Sequence, residues 1–212
     1  MSNCVEHHLP ELELATSQVR EALQCILHTI LFIRAPGPVS PVDVFCEGFD
    51  LTYAKMAGGG RSATDVIVDE AIEKFLRRLT QIGPELLSGC LTLGFYEKRM
   101  KRNGIPMFGG WGAQEEKIVW EQWIIRTVVN NTPRPVNDDS ASVIERQRIQ
   151  DTAEGMVRET MLKVYEIVGK QDSLDHVPPG DYQFEIHCTN RADDQENIYA
   201  RVKKMPALIN LG

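Results

Sequence analysis

The apolar positions of this chain follow two periods. Val19, Leu23, Ile26, Ile30 and Ile33 recur at steps of three and four, with Ala22, Leu27 and Leu31 widening the stripe. That spacing predicts a helix whose broad apolar face belongs deep in a core. Thr16 or Ser17 is placed to cap it, and Pro36, Gly37, Pro38 and Pro41 end it in a loop. Ahead of it, Leu9, Leu12 and Leu14 stand loosely apart among polar residues and predict a short strand. After it, Phe49, Leu51 and Tyr53 alternate with Asp50 and Thr52, the period of a half-buried strand, which Gly58-Gly59-Gly60 breaks. Ile67, Ala71, Phe75, Leu79 and Ile82 then predict a second helix, with Thr64 or Asp65 at its cap and Gly83-Pro84 as its stop.

In the second half, Cys90, Leu91, Leu93, Phe95 and Tyr96 predict a third strand, and Ile118 to Asn130, with Trp120, Trp123, Ile125 and Val128, a fourth and longest one. Lys98 to Gly112 reads as the loop between them, several times longer than the roughly two to five residues usual for a hairpin. Trp120 and Trp123, three apart, would face opposite sides of a regular strand, one in the core and the other under a helix or at a partner surface. Asn131 to Asp139 is a linker, and Ser142 with Glu145 has capping-box spacing. A third helix follows to about Lys170, its stripe Ile149, Ala153, Val157, Met161, Val164 and Val168, with Gly155 inside it. Beyond Pro178-Pro179-Gly180, Tyr182 to Cys188 and Ile198 to Val202 read as a last pair of strands. The order predicts one α+β domain over residues 1–212, a mostly antiparallel sheet covered on one face by three helices, with short flexible ends near 1–8 and 205–212.

Composition narrows the function. The 212 residues are 42% hydrophobic and 25% charged, with a net charge of −7. Such a chain can bury a core, and its acidity disfavours nucleic acid as a partner. Five cysteines, Cys4, Cys25, Cys46, Cys90 and Cys188, include no CxxC pair, which points to a reducing compartment rather than a disulfide framework. The first ten residues do not read as a signal peptide, and the most apolar run, Leu23 to Ile33, falls short of the about 20 residues that cross a bilayer. The chain reads as soluble and intracellular.

Catalytic constellations are weak. Ala57-Gly-Gly-Gly-Arg-Ser-Ala63 sits between a strand and a helix, where phosphate loops sit, but matches neither GxxxxGK[ST] nor GxGxxG; a small nucleotide-binding enzyme using Gly58 to Arg61 is a minor alternative. His187 and Cys188 point to opposite faces of a strand, and Cys25 with His28 lies in the apolar stripe, where a thiol is inert. Cys4, Glu6, His7 and His8 would hold a metal only adventitiously. No catalytic residue, cofactor or metal is expected.

The hairpin tip is different. Ile105, Pro106, Met107, Phe108 and Trp111 stand among Gly104, Gly109, Gly110 and Gly112. Bulky apolar side chains in a glycine-rich loop either cap the sheet edge or offer an anchor to another molecule, and tryptophan is enriched at binding hot spots. The flanking Lys98, Arg99, Lys101 and Arg102 also suit an anionic membrane surface.

Together, the helix Val19-Arg-Glu-Ala-Leu-Gln-Cys-Ile-Leu-His-Thr-Ile-Leu31, the strand Phe49-Asp-Leu-Thr-Tyr53, Leu93-Gly-Phe-Tyr-Glu-Lys-Arg99, the aromatic loop, Trp120-Glu-Gln-Trp123 and Tyr182-Gln-Phe-Glu-Ile186 resemble the autophagy-related protein 101 family, in that order, over roughly Leu12 to Ile209. The resemblance implies a HORMA domain without enzymatic activity. It also implies pairing with the HORMA domain of autophagy-related protein 13 and a place beside the kinase and scaffold subunits that initiate autophagy. The expected location is cytoplasmic, with recruitment to the pre-autophagosomal structure. It further implies that the loop is a finger recruiting downstream factors, here Ile105 to Gly112; in this chain Phe108 precedes Trp111 and two glycines separate them. A HORMA adaptor of another pathway, capturing a peptide in checkpoint or meiotic signalling, is the other reading of the same fold.

Overall fold

The structure, a computed structural model, describes residues 4–58, 62–102, 113–132, 137, 139–170 and 172–189. Val5–His8 (β1) and Leu12–Ala15 (β2) are both strands, so residues 5–8 of the end expected to be flexible pair into the sheet. Leu12 and Leu14 point inward, and Leu9 N donates to Ile124 O between the strands.

Val19–Ile33 forms α1, and Val19, Leu23, Ile26 and Ile30 are all fully buried as the spacing demands. Its cap is Gln18 rather than Thr16 or Ser17. Gln18 Oε1 accepts from Ala15 N at 3.0 Å, while the Thr16 hydroxyl is drawn to Asn131 Oδ1. Pro41–Cys46 is a strand (β3), not loop; proline is tolerated at its first residue, where no ladder donor is needed. Phe49 lies in a 3₁₀ turn, Glu47–Phe49, and Asp50 adopts a left-handed φ of 42° before Leu51–Met56 (β4) pairs antiparallel with β3.

Ala63–Arg77 is α2. Ser62, not Thr64 or Asp65, caps it through a capping box in which Asp65 is the reciprocal partner. Val68, Ala71, Ile72 and Phe75 are buried, whereas Ile67 and Ile82 are exposed. The steps of four from Ile67 drift off a face that turns every 3.6 residues. The helix stops at Arg77, ahead of Gly83, and Thr80–Gly83 forms a short strand, β5.

Leu86–Arg102 (β6) and Ala113–Asn130 (β7) make the long hairpin. Lys98 to Arg102 are therefore strand, and only ten residues, 103–112, separate the two partners Arg102 and Ala113. Phe95 opposes Glu121 and Tyr96 opposes Val119, so Trp120 is the extra residue of a bulge. The bulge resets the alternation, and Trp120 and Trp123 are both buried rather than one being offered to a partner.

Ser140–Val168 is α3. Asp139 caps it by accepting from Ser142 N, and the Ser142 hydroxyl donates to the same carboxylate; the expected Ser142–Glu145 box does not form because Ser142 already lies inside the first turn, and Glu145 pairs with Arg148. Ala153, Val157, Met161 and Val164 are buried as predicted. Gln183–Thr189 (β8) is the last described strand, and the second strand expected at 198–202 lies outside the described residues.

The sheet runs β1–β7–β6–β5, with β2 also on β7 and β8 also on β6. β1 and β2 run parallel to β7, and every other pairing is antiparallel. α1 packs against β4, α2 and α3, which explains its nearly complete burial. α2 lies over β6 at Gly89, where a Cβ would stand 2.5 Å from the Phe75 ring. None of the helices among the described residues is long and apolar enough to cross a membrane.

Candidate functional site

β8 leaves β6 at Tyr96 and β1 leaves β7 at Glu121. Beyond that line, the six pairs from Glu97↔Ile118 to Arg102↔Ala113 continue as a ribbon with no further strand beside them among the described residues. At about 3.4 Å per residue, they carry the loop on the order of 20 Å past the sheet. The ribbon surface is polar: Lys98 Nζ is 3.2 Å from Glu115, Arg99 pairs with Glu97, and Lys117 pairs with Glu185 while lying 3.8 Å over the Tyr96 ring. Lys98 and Arg99, two residues of the basic flank read as suited to an anionic membrane surface, have carboxylate partners on the ribbon itself. Ile105, Pro106, Met107, Phe108 and Trp111 lie outside the described residues. Met100, 66% exposed, is the apolar side chain nearest the tip that the structure does describe.

At the root of the ribbon sits a buried ionic cluster. The bulge turns Glu121 inward, where its carboxylate receives Arg34 Nε at 3.0 Å on Oε2 and Arg34 Nη2 at 2.9 Å on Oε1. His7 Nε2 and His176 Nε2 approach the same Oε1 at 2.9 and 3.1 Å. Burial alone would raise the Glu121 carboxyl; the hydrogen bonds from His7, Arg34 and His176 and the Arg34 charge outweigh it and hold the group down at about 2. Trp123 packs 4.3 Å from the His7 ring, and Trp120 lies 4.9 Å from Tyr182 and 5.6 Å from Phe95. Tyr182 OH donates to Arg34 O at 2.8 Å. The arrangement bolts β1, the end of α1, β7, the segment after α3 and the start of β8 to the base of the hairpin. A cavity of about 370 Å³ opens beside it, lined among others by Leu31, Arg34, Phe95, Tyr182 and Phe184.

Glu121 is held in its charged form, so it supplies no general acid at neutral pH, and a carboxylate held at about 2 is a weak base. Thiol chemistry is equally quiet: four cysteines are buried, and burial raises Cys25, Cys46, Cys90 and Cys188. Gly59, Gly60 and Arg61 lie outside the described residues. At the start of α2, however, Ser62 N donates to Asp65 at 2.9 Å, so the helix's own carboxylate fills a place a phosphate would take.

A family model described as Autophagy-related protein 101 matches residues 11–183. The chain belongs to the autophagy-related protein 101 family. It is similar to the Autophagy-related protein 101 of Arabidopsis thaliana, 31% identical over 206 residues that cover 90% of each chain. Those of Homo sapiens and Xenopus laevis are each 24% identical over 210 residues, 93% of this chain and 87% of theirs. Three helices on a mixed, mostly antiparallel sheet are consistent with the HORMA-type fold that the family resemblance implied.

Membership in the family does not by itself point to Arg34, Glu121 or His176, and neither did the sequence pattern. Their partners stand 55 to 114 residues apart in the chain. One local signal was present: Glu121 is the charged residue in the run Ile118 to Ile125, which is apolar apart from it and Gln122, and a charge buried in such a run has to be paired.

Proposed function

We propose that this family member is a non-enzymatic adaptor. It pairs with the HORMA domain of autophagy-related protein 13, stabilises it within the kinase complex that initiates autophagy, and recruits downstream factors through the finger at 105–112. It acts in the cytoplasm at the pre-autophagosomal structure. The observation that supports the reading is the ribbon: two strands extend past every other described strand of the sheet, and the ten residues that join them in the sequence are rich in glycine and large apolar side chains. A sheet gains nothing from such an extension, whereas a partner gains reach to Phe108 and Trp111. The ionic cluster fixes the angle at which the ribbon leaves the domain, and a rigid base limits the ordering cost of binding at its tip.

Co-expression with the autophagy-related protein 13 HORMA domain tests the pairing. The two should co-purify one to one, and Phe108→Ala with Trp111→Ala should keep that pairing while losing the downstream partners. A chain that stays a monomer beside this partner contradicts the pairing. A double variant that retains every bound protein contradicts the finger.

A further inference from the structure

Away from the finger, one side-chain cluster has the make-up of a ligand set. We propose that His7, Glu121 and His176 form a site for a divalent transition-metal ion of the zinc type. The two imidazole Nε2 atoms stand 2.9 and 3.1 Å from one carboxylate oxygen, Glu121 Oε1, and the three atoms lie within 4.8 Å of one another. Two imidazole nitrogens and one carboxylate oxygen are donors that suit Zn²⁺, whose fourth position a water completes. The His7 and His176 side chains are 14% and 18% exposed and Glu121 is fully buried, so the set is anchored on its inner side and reachable from the outer one.

The hydrogen bonding around Glu121 favours an ion. Oε1 is approached by His7 Nε2, His176 Nε2, Arg34 Nη2 and, at 3.2 Å, Arg34 Nε, whereas Oε2 takes Arg34 Nε alone. One carboxylate oxygen has about two lone pairs to offer, fewer than the donors crowding it. A cation bound to Oε1 and to both Nε2 lone pairs replaces two of those N–H donors with one centre. In that arrangement each ring is bound through its Nε2 lone pair and carries its proton on Nδ1. Arg34 stays on Oε2 and orients the carboxylate, as partners behind metal ligands do. Its charge opposes the ion and that of Glu121 offsets it, which leaves the two imidazoles to set the affinity. Bound there, the ion ties the edge strand β1 to the segment between α3 and β8, whose imidazoles already meet at Glu121 and at a ring-centroid distance of 6.2 Å. His7 was visible in the sequence as a neighbour of His8, Glu6 and Cys4; its ligand partners come instead from distant segments.

The test is titration of the tag-free, metal-stripped full chain with ZnCl₂ by calorimetry, followed by thermal melts. The proposal predicts one saturable equivalent and, at zinc about a hundredfold above Kd, a melting point higher by on the order of 5 °C. His7→Ala and His176→Ala should each weaken binding at least tenfold, and His8→Ala should leave it unchanged. Should His7→Ala fail to fold, His176→Ala decides, because His176 lies in a loop. Co²⁺ should give the visible absorption of a four-coordinate site in wild type and lose it in His176→Ala. Unsaturable binding, equal affinity in wild type and His176→Ala, or loss of the site in His8→Ala would overturn the assignment.

Discussion

Arg34, the residue that closes α1, places its Nη2 2.9 Å from Glu121 Oε1 at the bulge of β7, with 1% of the arginine side chain and 0% of the glutamate's exposed. The contact joins the most buried helix to the strand that carries the hairpin. Removing one partner leaves the other as a buried, uncompensated charge. Arg34→Ala or Glu121→Gln should therefore cost about 3–5 kcal/mol, read as a lower urea midpoint, while Arg34→Met with Glu121→Leu should cost much less than the two single changes summed.

The same carboxylate makes stability depend on pH. Its folded value is held at about 2 against an ordinary 4.5, so between those limits the unfolded chain binds more protons than the folded one. The contribution is fully present above about pH 4.5 and is lost as the pH falls toward about 2. Urea midpoints measured from pH 6 downward should drop through that window, and the drop should shrink in the Arg34→Met, Glu121→Leu variant.

Two glycines should respond in opposite directions to alanine. At Gly89 a Cβ would lie 2.5 Å from Phe75 Cε2 and 3.0 Å from Leu79 Cδ2. Phe75 is itself buried and cannot swing away, so Gly89→Ala should destabilise by about 1–3 kcal/mol. Gly155 lies inside α3 with nothing within 4 Å of its would-be Cβ. Gly155→Ala should raise stability by about 0.5–1 kcal/mol, read in the same denaturation experiment.

The long-period features were legible from the residues. The stripe of α1 and the buried face of α3 follow directly from their spacing, because α1 is packed on nearly all sides, α3 buries one face, and in both packing agrees with the apolar period. The caps were not legible: the helices begin at Gln18, Ser62 and Asp139, each within three residues of a candidate of suitable chemistry, and composition does not choose among such close neighbours. Nor was the length of the hairpin. Lys98 to Arg102 look like loop because they are basic, yet an exposed two-stranded ribbon tolerates charge on both faces when Glu115 and Glu97 pair with it. The bulge at Trp120 escaped detection because one inserted residue leaves no mark on composition and inverts every later parity. The ionic cluster is built from four distant segments, so only the fold brings it together. Phe108 and Trp111 were singled out from their glycine-rich setting, and their role rests on the proposal above.

The most direct measurement is affinity purification of wild type beside the Phe108→Ala, Trp111→Ala variant from cells in which autophagy has been induced, with the bound proteins quantified by mass spectrometry. The adaptor account predicts equal recovery of the autophagy-related protein 13 HORMA partner on both and the disappearance of a distinct set of proteins from the variant alone. Identical sets on the two baits, or a variant that melts well below wild type because those rings belong to the core, would contradict it.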